Sequence, residues 1–250
     1  MSNEYLINNY MNTRNYCRVH ENDIILIQKH VRGYLFRLKR LPLVLYIIQN
    51  YLSKINYNFI NLNEDGRINS NFDEDKIIDI LINKFKNKIK KPSIRNWFDV
   101  GIYDNYYGWL PVNIKSTTTK TSDNVGNLAL CVYSYTNEYL NLNETYDNGL
   151  MANILFSKLK NNQLNKKHKK DYYFLVLNKN DNKDIIVNSV KGLSILTSNI
   201  NNLPFQVKWD KNKIFNYKNI NYCIQQFLDT IRKPKPSWKE TFLINIRDNL

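Results

Sequence analysis

Asp99, Asn113 and Lys115 are the side chains whose types and spacing point most directly to chemistry. Hydrolysis of a phosphodiester needs a divalent cation to hold the phosphate and activate water, and a fixed positive charge to meet the charge that develops. Carboxylate and carbonyl oxygens meet the first need and a lysine the second. If Asn113 and Lys115 lie on one β-strand, the two-residue period turns both to one face, and an Asp ending the paired strand can face them. The local sequence fits. WFDVGIYD (97–104) and WLPVNIKSTTT (109–119) are extended runs separated by the turn-like Asn105, Tyr106, Tyr107 and Gly108, the pattern of a β-hairpin.

Short polar side chains follow the second run: Ser116, Thr117, Thr118, Asp123 and Asn124 can contact phosphates and base edges, or simply form a polar strand exit. Further on, Gln206 and Lys208 are able to pair with adenine and guanine, beside Phe205 and Trp209, which suit either a wedge or a core. The run Lys166, Lys167, His168, Lys169 and Lys170 is a phosphate-facing patch or a solvated loop.

The elements that must position these residues follow from periodicity. Ile24, Ile27, Val31, Leu35 and Leu38 recur at helical steps, so one or two helices are expected between Asn22 and Ile55, interrupted at Pro42. Residues 56–71 are polar and read as loop, and Asp73 is placed to cap a helix reaching about Lys90 with Ile77, Ile80, Leu81 and Phe85 inward. After the hairpin, helices are expected over Asn124–Tyr135 and Leu150–Lys160. Strands are then expected in YYFLVLNK and DIIVNSV, a helix near Tyr222–Arg232, and a last helix beyond the turn KPKPS.

Composition narrows the class. The 250 residues are 43 % hydrophobic and 23 % charged, the balance of a folded globular chain able to bury one core. A net charge of +14 concentrates polyanions, nucleic acid among them, although ribosomal, membrane-surface and viral packaging proteins share such an excess. Cys17, Cys131 and Cys223 are too scattered for a zinc site or a disulfide framework and fit a reducing compartment. The N-terminus lacks a signal pattern and no apolar stretch approaches the ~20 residues of a membrane span, so the expectation is a soluble intracellular protein with no membrane partner. The abundance of Asn, Ile, Lys and Tyr points to an A+T-rich genome, such as that of a large DNA virus.

At Asp99 and Pro111-Val112-Asn113-Ile114-Lys115 the chain resembles the PD-(D/E)xK nuclease superfamily, whose signature is an acid on one strand and acid-x-Lys on the next. Asn113 departs from it, being neutral where the family has an acid. The family also places a Glu from a preceding helix beside the metal, which points to Glu74 ahead of Asp73 and Asp75. The wider course over residues 64 to 212 resembles bacterial type II restriction endonucleases. The resemblance implies an α/β restriction-endonuclease-like fold, a central mixed sheet flanked by helices after a helical N-terminal segment (1–60, then a catalytic domain over 61–250). It also implies Mg²⁺ held by Asp99, Glu74 and the Ile114 carbonyl, Lys115 at the transition state, double-stranded DNA as substrate, and a homodimer.

Separately, Ile27-Gln28-Lys29-His30-Val31-Arg32-Gly33-Tyr34-Leu35-Phe36-Arg37 resembles the IQ motif of calmodulin targets. Through residues 24–40 it implies a calmodulin-like partner, with Ile27 in an apolar groove, Gln28 on the lobe backbone, and Arg32 and Arg37 on acidic residues around Gly33. A DNA-facing packing helix is the other reading of this segment. Against the nuclease stand a decayed nuclease that only binds DNA and a calmodulin-binding adaptor.

Overall fold

The computed structural model describes residues 41–55, 66–167, 169–198 and 204–232, with the backbone alone over 66–71, and Asp23, Ile25, Leu26 and Gln28 before them. The chain divides into two compact units, Met1–Arg40 and Leu41–Leu250. In the first, the four described residues are helical and exposed. The division falls about twenty residues ahead of the 60/61 boundary read from the sequence, because residues 41–55 belong to the packing of the second unit.

That unit is a mixed α/β structure. Its five-stranded sheet runs β1 (Ile89–Lys90), β2 (Val100–Asp104), β3 (Gly108–Thr117), β5 (Tyr173–Asn178), β6 (Asp181–Ser189) in spatial order. The β2–β3 hairpin is antiparallel, β3 and β5 are parallel, and β6 returns antiparallel to β5. β4 (Ser122–Asn124) and β7 (Gln206–Lys208) form a separate two-stranded ribbon. The helix expected over Asn124–Tyr135 starts only at Ala129, because residues 122–124 pair with β7 instead.

Strand alternation builds two apolar layers. Val100, Ile102, Leu110, Val112, Ile114, Leu175 and Leu177 face α1 (Leu43–Leu52) and α2 (Gly66–Phe85). Phe174, Val176 and Ile186 face α3 (Ala129–Tyr135), α4 (Asn148–Lys160) and α5 (Ile220–Ile231). In α1, Val44, Leu45, Ile48 and Leu52 bury one stripe, each side chain contributing roughly 2 kcal/mol. Pro42 precedes the first turn of α1 with an extended ψ of 136°. Asp104 then joins α1 to the hairpin: its carboxylate accepts Val44 N–H at 3.3 Å and the turn amides of Tyr106 and Tyr107 at 2.8 and 3.0 Å. α2 begins at Gly66, not at a cap on Asp73; Asp73 is interior to the helix and buried. Asp147 caps α4 by accepting Gly149 and Leu150 N–H, and Asn219 caps α5 through Tyr222 N–H. Among the described residues no helix is long and apolar enough to cross a membrane.

Candidate active site at the open edge of β3

β2 begins at Val100, opposite Val112, so β3 continues five residues beyond its antiparallel partner while β5 still pairs its other side. The edge left open by β2 is where the predicted residues gather. Asp99, in the bend before β2, donates its own N–H to Val112 O at 3.0 Å, and its carboxylate accepts Ile114 N–H at 2.8 Å. An amide that would otherwise lack a ladder partner thus fixes the Asp99 side chain. In a strand the N–H and C=O of one residue point the same way, so the Ile114 carbonyl shares this edge while its side chain is fully buried in the core.

Lys115 and Glu74 reach the same edge from β3 and α2, Nζ to Oε1 3.5 Å, with 22 % and 15 % of their side chains exposed. The helix is seated there by a second contact one residue earlier. Asp73 accepts the Ser116 hydroxyl at 3.3 Å and pairs with Lys179 Nζ at 3.3 Å.

Burial dominates the electrostatics. Loss of water pushes the Glu74 carboxyl up to about 7, against the pull of Lys115 and with the repulsion of Asp99. Burial also raises Asp99, opposed by Lys115 and the Ile114 amide. Burial works to lower Lys115, but Glu74, Asp99 and Asp123 together outweigh it and hold the ammonium above its ordinary value. The site therefore gathers carboxylates that resist ionising around one cation that does not give up its proton.

Asn113 lies on the same face of β3 as Lys115 and is 5 % exposed, with no hydrogen-bond partner for Oδ1. A buried acceptor left unpaired costs about 1–3 kcal/mol, and a cation would satisfy it. Two carboxylates with neutral oxygens suit a hard divalent ion such as Mg²⁺. Among the described residues no group of three or more His, Cys, Asp or Glu side chains is arranged to hold a metal, so any shell here would need the neutral oxygens to complete it.

The predicted nucleic-acid contacts separate by orientation. Ser116 and Thr117 are buried, at 4 % and 7 % exposure, and Thr118 approaches Thr121 with 3.5 Å between hydroxyls. Thr119 carries the chain from β3 back toward β4 with φ +64°, its carbonyl accepting Asp210 N–H at 3.1 Å. In the ribbon, Asp123 pairs with Val207, which is fully buried, and therefore lies on the inward face. Ser122 with Lys208 and Asn124 with Gln206 occupy the outward face, where Gln206 Nε2 donates to Asn124 Oδ1 at 3.0 Å. Phe205 and Trp209 are core. Gln28 is helical and exposed, while Ile27, Arg32, Gly33 and Arg37 lie outside the described residues.

Sequence reading missed the Asp73–Ser116–Lys179 clamp and the inward turn of Asp123. The consecutive Asp73 and Glu74 were the only local sign of the first. The second depends on β7, more than eighty residues away. Comparison of the chain with protein-family models, with curated proteins and with solved structures gave no match.

Proposed function

We propose that this edge is the catalytic centre of a Mg²⁺-dependent endonuclease that hydrolyses double-stranded DNA at specific sites, on a body of restriction-endonuclease type, with two copies cutting the two strands. The observation that carries the proposal is the convergence of Asp99, Glu74 and Lys115, from three separate elements, on a stretch of β3 whose other backbone partner is missing. Asp99, Glu74, the Asn113 amide oxygen and the Ile114 carbonyl would hold the cation, which would supply phosphate neutralisation and an activated water. The Ile114 amide keeps Asp99 oriented. Lys115, charged at neutral pH, stabilises the charge growing on the phosphate oxygens. The net charge of +14 favours a polyanionic substrate, and the outward side chains Gln206, Asn124 and Lys208 are of types that read base edges.

Purified protein incubated with plasmid DNA and Mg²⁺ is expected to give discrete fragments. Lys115→Ala and Asp99→Ala are each expected to lower cleavage about a thousandfold without unfolding the chain. Cutting by Lys115→Ala at the parental rate overturns the assignment. Tight DNA binding without cleavage under any divalent cation supports instead a non-catalytic descendant, the reading that the neutral Asn113 favours.

A further inference from the structure

Asp123 is the charged side chain of the ribbon that faces the wrong way for a groove contact. Its partner Val207 points into the core, and Val125, two residues on, is likewise fully buried. Strand alternation therefore aims Asp123 at the sheet, over the face of β3 that carries Asn113, Lys115 and Thr117. There it comes within electrostatic reach of Lys115 and Lys179, with the Thr117 hydroxyl beside it. Its Oδ2 is shut off from water and has no hydrogen-bond partner.

Lys115 is the complementary case. An ammonium has three donors, and a well-formed charge-assisted bond to a carboxylate runs about 2.7–2.9 Å. The contact with Glu74 is longer, at 3.5 Å, and on the proposal above Glu74 would also hold the cation beside Asp99. A carboxylate that ligates a divalent ion through one oxygen is a weaker partner for a lysine through the other. Were Glu74 to ligate the cation, Lys115 would need another acceptor, and Asp123, whose charge already acts on the ammonium, carries an oxygen without a hydrogen-bond partner.

We propose that Asp123 is the positioning residue of Lys115: it takes over the ammonium as Glu74 is engaged by the cation and holds it beside the scissile phosphate. In this role β4 supplies the negative charge that the neutral Asn113 does not bring to the lysine. The inference rests on the nuclease proposal above.

Two measurements test it. In cleavage assays Asp123→Asn is expected to lower kcat about a hundredfold while KM for DNA and the half-saturating Mg²⁺ concentration stay within twofold; Asp123→Glu, which keeps the charge, recovers at least tenfold of that loss. Without metal or DNA, a melting-temperature cycle reads the handover directly. Glu74→Gln leaves Lys115 dependent on Asp123, so Asp123→Asn in that background is expected to lower the melting temperature by about 3 °C more than it does in the parent. Parental kcat for Asp123→Asn, with Lys115→Ala inactive, overturns the inference and leaves the nuclease proposal standing. A raised Mg²⁺ requirement also overturns it, by making Asp123 a ligand. Additive melting shifts overturn it too. Activity of Lys115→Ala removes the nuclease proposal itself.

Discussion

Two groups of buried charge lie on either side of β5, and they are finished to different degrees. Around Lys191, which is fully buried, Nζ donates to the carbonyls of Lys167 and Lys170 at 3.1 and 2.9 Å. Asp171 nearby accepts Tyr172 N–H on one oxygen, at 2.9 Å, and Lys191 N–H on the other, at 3.3 Å. Lys170 donates to the carbonyls of Thr136 and Glu138. Every charged atom there has a backbone partner. At the edge of β3 the Lys115–Glu74 contact is stretched, and the oxygens Asn113 Oδ1 and Asp123 Oδ2 have none. Buried charge with its hydrogen bonds complete is architecture, whereas buried oxygens with bonds missing call for a partner, which the proposed cation and Lys115 would supply.

The comparison can be broken by substitution. Lys191→Met leaves Asp171 buried without its countercharge and is expected to cost about 3–5 kcal/mol in urea unfolding, whereas Lys115→Met lowers stability far less. Equal losses would erase the distinction between the two groups.

Proton linkage sharpens it. Glu74 titrates near 7 in the folded protein against 4.5 unfolded, so the native state holds the proton more tightly. Its stabilising contribution is present below pH 4.5 and lost as pH rises through 7, an effect of about 3 kcal/mol. Metal-free protein is therefore expected to weaken across that window. Glu74→Gln removes this part of the slope, and Mg²⁺, standing in for the proton, flattens it. An unchanged slope in Glu74→Gln would place the titration elsewhere.

Asp104 belongs with the finished group, since three backbone amides fill its carboxylate. Asp104→Ala strands those donors at the hairpin turn and the start of α1 and should cost about 2 kcal/mol in a thermal melt, with the metal response of the site unchanged.

These contrasts also explain what the sequence could disclose. The hairpin was legible because period two and the turn Asn105–Gly108 are local signals, and with it came the proximity of Asp99 to Lys115. The five-residue delay between the expected helix start at Asn124 and the actual one at Ala129 was not, because a three-residue strand carries too little alternation to be told from a helix start. Asp73 resembles a cap because acids favour helix starts, yet the helix already runs for seven residues, Gly66 to Phe72, ahead of it, and its carboxylate is occupied by Ser116 and Lys179. The direction in which Asp123 faces was likewise hidden, since only pairing with Val207 decides it.

Thr119 draws these pieces together. A β-branched residue at φ +64° carries strain of order 1–2 kcal/mol, held in place by burial and the Asp210 amide. Thr119→Gly is expected to raise stability by about 1 kcal/mol, read as a higher urea midpoint. That strain sits in the link between the strand that bears Lys115 and the ribbon whose two faces look in opposite directions. On the proposed function, the two faces of that ribbon would join base reading to catalysis: a displacement imposed on Gln206 and Asn124 by the bases would be carried to Asp123 on the underside of the same three-residue strands.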